Sequence, residues 1–184
     1  MIEIKFYGRG GQGAVVASQI LAKVYFLMGK YPQCFSVFGG ERRGAPVASF
    51  LRVDDEKIFL KCEILRPDEM IYMAPELVDE KEIESTLKPG GLILINNSLT
   101  HNEFRRLRKF RLALVDALSI AEETGMGSTI NTAILGAYCK ASGAVPMDYL
   151  ERAIRETVPA RISANIAAAK KAYDVTQLLK KVEG

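Results

Sequence analysis

The sequence predicts one α/β domain built on a mixed sheet and closed by a helical tail. Three observations carry that expectation. Strand-like and helix-like patterns alternate from Ile2 to Ala117. A continuous run of helical periodicity then fills the rest of the chain. The chain has 184 residues and no linker rich in Pro, Gly or Ser, so a single core from 1 to 184, with its centre at about 2–173, is the natural size.

The elements follow in order. "IEIKFYG" alternates apolar and polar residues as a half-buried strand does. From Gln12 to Met28, Val15, Val16, Ile20, Val24 and Leu27 recur at helical steps, and Gly29 marks the stop. "QCFSVFGG" after Pro32 is a second strand, which makes a β-α-β unit. "VASFLRVDDEKIFL" divides at Asp54–Asp55 into two strands, a hairpin that supplies the antiparallel part of the sheet. "EMIYMAP" is a short strand, and "ELVDEKEIESTL" a polar surface helix. After the "KPGG" turn, "LILIN" is a strand buried on both faces, and another short strand fits "RLALVDA". Helices are expected over "ALSIAEET", Thr129–Ser142, Met147–Thr157 and Ile162–Leu179, broken at "SGAVP" and "VPAR".

Composition removes several function classes. A net charge of +3 is too mild for a dedicated nucleic-acid binder. "LILI" and "RLALV" fall far short of the roughly 18 apolar residues that span a bilayer. Met1 leads directly into a strand, so no targeting peptide is expected and the location is expected to be cytoplasmic. Cys34, Cys62 and Cys139 are scattered, with no C-x-x-C and a single histidine, His101. That set excludes a four-cysteine iron–sulfur cluster made by this chain, argues against zinc, and suits reduced thiols.

Two loops carry the functional signal. In "GRGGQG", Gly8, Gly10 and Gly13 have the G-x-G-x-x-G spacing between a strand and a helix. Such a turn brings backbone N–H groups to an anion at a helix N-terminus. A dinucleotide reading is weakened by Arg9 and Gln12 in the turn. The second strand also ends in "FSVFGG", without the acidic residue that would hold a ribose. Close helix–strand packing, a phosphate-type ligand and contact with another protein all remain open for this turn. The second loop, "FGGERRGAPV", sets Glu41, Arg42 and Arg43 before Gly44. It reads either as a self-paired solvated turn or as a seat for a carboxylate, a phosphate or an acidic partner.

Together the two loops resemble the gamma subunit, or fused gamma domain, of the 2-oxoacid:ferredoxin oxidoreductases. "GRGGQGAVVASQILA" and "FGGERRGAPVASFLRV" match its two hallmark segments, and "KPGGLILINNSL" and "NTAILGAY" fit later ones. The resemblance implies a Rossmann-like three-layer α/β/α fold with a mixed, mostly parallel sheet. It also implies work inside a complex of alpha, beta and delta-type subunits. Thiamine diphosphate, magnesium and iron–sulfur clusters would sit in those partners, electrons would leave to ferredoxin, and coenzyme A would be the ligand associated with this chain. The chain has neither a cluster cysteine set nor a G-D-G motif, so no turnover is expected from it alone. "ERRGAPV" is closer to the pyruvate type than to the 2-oxoglutarate type. No catalytic residue is expected, and no metal site. The candidate binding residues are Gly8, Arg9, Gly10, Gly11, Gln12, Gly13, Glu41, Arg42, Arg43 and Gly44, with Asn96 and Asn131 added.

Asn96 ends a strand where α/β folds place ligands. Asn131 opens a helix with Ser128 as its expected cap, and serves either packing or a ligand. Arg105, Arg106, Arg108, Lys109 and Arg111 form a solvated face or a docking surface for phosphates or an acidic partner. His101 is a loop histidine or a proton shuttle. The alanine-rich terminal helix packs on its own domain or on another subunit, and a homodimer of the isolated chain stays open. Two other classes of function compete: a free-standing dinucleotide oxidoreductase and a ligand-free adaptor.

Overall fold

The computed structural model describes residues 1–38, 44–97 and 104–180. One sheet of seven strands runs in the order β2-β3-β1-β4-β5-β6-β7. The strands are β1 Ile2–Arg9, β2 Tyr31–Phe38, β3 Pro46–Asp54, β4 Glu69–Tyr72, β5 Leu92–Asn96, β6 Arg111–Val115 and β7 Gln177–Leu179. β1, β4, β5 and β6 are mutually parallel, and β2 shares their direction because two antiparallel steps separate it from β1. Only β3 and β7 run against the rest.

Helices cover both faces unequally. α1 Ala14–Leu27, α3 Ala117–Glu123, α4 Asn131–Ser142, α5 Met147–Thr157 and α6 Ile162–Val175 lie on one side, and α2 Glu80–Thr86 with the 3₁₀ turn Arg105–Lys109 on the other. The period of two in each strand divides the core between them. Ile71, Leu92, Leu94, Ala113 and Val115 pack toward the large helical layer. Met70, Tyr72, Ile93, Ile95, Leu112 and Leu114 pack toward the smaller one. The expectation that "LILIN" is buried twice over is met, and each such side chain contributes on the order of 2 kcal/mol.

Four sequence expectations need correction. The antiparallel hairpin is β2–β3, not a turn at Asp54–Asp55. Residues 55–68 form no strand. The buried Arg52 donates to the carbonyls of Cys62 (2.7 Å) and Glu63 (3.3 Å), so a side chain takes backbone acceptors that a ladder would otherwise use. The first β-α-β unit is split, since β3 lies between β1 and β2. The tail is not helical to Leu179. The Thr176 hydroxyl bonds to the Ala172 carbonyl at 2.5 Å as α6 ends, and Gln177–Leu179 then pairs with β6. Finally, Ser128 does not cap α4. Ile130 holds that position without a side-chain bond, and Asn131 is the first helical residue. The other boundaries move by a turn or less. Asp79 caps α2 through the N–H groups of Lys81 and Glu82, and Gly29 follows α1 at φ 80°.

Candidate functional site: the glycine turn and its neighbours

β1 ends at the carboxyl edge of the parallel strands, and the glycine turn leads from there into α1. Gln12 N–H donates to the Arg9 carbonyl at 3.0 Å, closing a tight turn whose third residue, Gly11, sits at φ 97°. That sign of φ is what a type II turn demands of its third residue, and glycine meets it without strain. The Arg9 N–H in turn donates to Gln12 Oε1 at 2.7 Å. Gln12 is therefore a staple of the turn rather than a stray polar group. Gly8 serves packing, because a Cβ there would stand 3.0 Å from the Ala14 Cβ.

Gly13, at φ 86°, is the N-cap of α1 and offers no side-chain acceptor. Among the described residues nothing accepts from the N–H groups of Gly11 and Gly13, and no acidic residue lies in the first turn of α1. A cleft of about 350 Å³ opens over these groups, lined by Gly10, Gly11, Gly13, Ala14, Val16 and Val47 among others. Asn131 reaches the turn from α4. A Cβ on Gly13 would meet the Asn131 Cβ at 3.3 Å. The Asn131 Oδ1 accepts from the Thr132 N–H at 2.8 Å.

The two signal loops meet in space. Gly10 N–H donates to the Ala45 carbonyl at 3.0 Å, and Arg9 Nη1 donates to the Gly44 carbonyl at 2.9 Å. Gly44 itself is at φ 92°. Glu41, Arg42 and Arg43, just before it, lie outside the described residues, as does His101. Arg9 also binds Glu76 Oε1 through Nε at 2.6 Å, which holds the Glu76 carboxyl below its usual range. This exposed pair is worth no more than about 1 kcal/mol, but it cancels the side-chain charge at the rim. Among the described residues, the remaining positive character of the cleft comes from bare N–H groups and the α1 dipole.

The structure does not bring every candidate to this cleft. Asn96 is committed to scaffolding: its Nδ2 donates to the Met73 carbonyl at 3.0 Å and its Oδ1 accepts from Ala117 N–H at 3.0 Å. The arginine run lies at the amino end of β6, the opposite end of the parallel strands from the turn. There Arg106 and Lys109 pair with Glu84, and Arg111 donates to the Ala141 carbonyl at 2.7 Å. Sequence reasoning missed Glu76, Val16 and Val47. Glu76 had a usable signal: it closes "APE" just past the carboxyl end of β4, beside the turn.

Known proteins are similar to this chain in sequence and in fold. Residues 3–175 match the family described as pyruvate ferredoxin/flavodoxin oxidoreductase. A common gamma subunit of pyruvate/ketoisovalerate oxidoreductases from Thermococcus litoralis is 46% identical over 180 residues, covering 96% of this chain and 97% of that one. Pyruvate synthase subunit PorC from Methanothermobacter thermautotrophicus is 41% identical over 181 residues, 98% of each. The crystal structure of pyruvate oxidoreductase subunit PORC from Thermotoga maritima superposes with a TM-score of 0.81 at 31% identity, over 96% of this chain and 97% of that one. The fold also recurs in a 2-oxoglutarate:ferredoxin oxidoreductase from Magnetococcus marinus (TM-score 0.76, 17% identity), where 99% of this chain corresponds to only 32% of the longer one. With its glycine turn, its second loop and nearly its whole length accounted for, this chain belongs to the pyruvate ferredoxin/flavodoxin oxidoreductase family, as a gamma-type subunit.

Proposed function

We propose that this chain forms one wall of the coenzyme A site in a cytoplasmic pyruvate:ferredoxin oxidoreductase complex. The observation that carries the reading is the row of bare N–H groups at Gly11, Gly13 and the start of α1, facing a cleft walled by Val16 and Val47. Such donors fit a phosphate, and the apolar wall fits a pantetheine-like arm. Coenzyme A supplies the thiol that accepts the acyl group. Gly11 and Gly13 would hold its anionic end, and Arg9 would keep the second loop against the turn. Asn131 would add an amide at the cleft's inner side. Decarboxylation and electron transfer belong on this reading to the alpha, beta and delta-type partners, which hold thiamine diphosphate, magnesium and the clusters. The isolated chain should therefore show no turnover.

The test uses the reconstituted complex. Val16 is 44% exposed, so Val16→Asp adds an anion at the cleft with little cost to folding. It should raise the KM for coenzyme A about tenfold, as a charge penalty near 1.4 kcal/mol would, and leave the KM for pyruvate unchanged. An unaltered coenzyme A KM would remove the assignment.

A further inference from the structure

β1 and β4 lie side by side and run the same way, with Tyr7 opposite Tyr72. Beyond their carboxyl ends the chain leaves them for opposite faces of the sheet. After β1 it enters α1 in the large helical layer. After β4 it passes through the 3₁₀ turn Pro75–Leu77 to α2 in the small one. Strands that part in this way leave a crevice between their ends. Arg9, the last residue of β1, and Glu76, in the 3₁₀ turn, reach across it to each other.

Glu76 is set there by its backbone. Met73 and Ala74 are fully buried and Pro75 opens the turn. The N–H groups of Leu77 and Val78 then close it on the carbonyls of Ala74 and Pro75, both at 3.1 Å. Arg9 is fixed more closely still. Its own N–H is held by Gln12 Oε1, its Nε by Glu76 and its Nη1 by the Gly44 carbonyl. Nη2 makes no hydrogen bond among the described residues. The guanidinium is planar and rigid, so pinning two of its nitrogens fixes the direction of the third. Arg9 is also a wall of the cleft at the glycine turn, and the charged one among the described residues.

An unopposed guanidinium is a strong anchor for a phosphate. Coenzyme A arrives and leaves in every cycle, and affinity given equally to ground state and transition state adds nothing to turnover. The Glu76 carboxylate answers the Arg9 charge while leaving Nη2 uncovered. Both partners are partly exposed, so the carboxylate weakens the arginine's hold on an anion by a modest factor rather than abolishing it.

We propose that Glu76 is a positioning residue of the anion seat: acting through Arg9, it aims Nη2 and tempers the charge offered to a phosphate of coenzyme A. The proposal rests on the coenzyme A reading above.

Glu76→Gln separates the two roles. Its amide oxygen still accepts from Arg9 Nε, so the guanidinium stays aimed while its charge is no longer answered. In the reconstituted complex the KM for coenzyme A should fall about threefold, with the KM for pyruvate unchanged. A residue that merely braced the turn would produce no such gain. Arg9→Gln supplies the second arm. On that background Glu76→Gln should leave the coenzyme A KM where Arg9→Gln alone puts it. An unchanged or raised KM in Glu76→Gln would overturn the proposal. So would an equal gain with and without Arg9, which would mean that Glu76 acts on the ligand directly. Either result leaves the coenzyme A reading standing while Val16→Asp raises that KM. If neither Val16→Asp nor Glu76→Gln alters it, both readings fall.

Discussion

Gly136 of α4 faces Ala169 of α6 so closely that a β-carbon on the glycine would overlap the alanine's carbonyl oxygen. The two helices meet backbone to backbone here, with Thr132 Oγ1 bonded to Asn165 Oδ1 at 3.1 Å one turn earlier. Gly136→Ala cannot be absorbed by a rotamer change, because the obstacle is main chain. It should destabilise the fold by about 3 kcal/mol or more, read as a lowered urea midpoint, or leave the chain insoluble. A wild-type midpoint would mean that the helices can slide apart freely.

At the glycine turn the two left-handed positions should separate by their surroundings. A Cβ on Gly11 meets nothing within 4 Å, whereas one on Gly13 presses on Asn131. Gly11→Ala should cost only the backbone strain, about 1–2 kcal/mol. Gly13→Ala should cost about 1 kcal/mol more. Thermal melts of the two variants, side by side, test the order.

Glu69 makes stability depend on pH. It is half-buried as a residue, but its Oε2 is closed off from solvent and unpartnered. Burial pushes its carboxyl above the usual range, against the downward pull of Tyr138 and Arg111. The folded chain thus holds this proton more tightly than the unfolded chain. The contribution of Glu69 to stability is greatest below the unfolded value, about 4.3, and declines as pH rises through the higher folded value. Relative to the wild type, Glu69→Gln should therefore be more stable at pH 7 than at pH 4. Urea midpoints at the two pH values give the comparison, and a pH-independent difference would contradict it.

Arg52 is the largest fully buried side chain in the described core, 1% exposed. It pairs with Glu3 at 3.0 Å and holds the Cys62 and Glu63 carbonyls. Arg52→Met keeps the volume and abandons all three acceptors. A loss of about 3 kcal/mol is expected, with faster hydrogen exchange concentrated in residues 55–66. Uniform exchange changes would show that the arginine does not specifically anchor that segment.

The parts of the fold written in local pattern were readable before the structure. "LILIN" announces a strand buried on both sides, "RLALV" announces another strand, and Gly29 marks a helix end through its own backbone conformation. What escaped depended on distant partners. Asp54–Asp55 has the composition of a hairpin turn, but Arg52 captures the carbonyls beyond it. Thr176 and Gln177 continue the helical pattern until the vacant edge of β6 competes for them. Of the candidate site, the Gly8–Gly13 turn and the approach of Gly44 were legible because glycine spacing reports backbone geometry. The scaffold role of Asn96 was not, since only the fold brings Met73 and Ala117 to its two ends.

The reversed strand wedged between the halves of the opening unit limits what the turn can recognise. It sets β2 two strand spacings, about 9.5 Å, away from β1. The chain directly alongside the turn is instead the entry to β3, Ala45 and Pro46, which carries no group to grip a sugar diol. Restoring a carboxylate at the end of β2 would therefore not convert this turn into a nicotinamide seat. The topology has set that corner beyond reach, and on the coenzyme A proposal an anion bound here would be known by its charge and its tail rather than by its ribose.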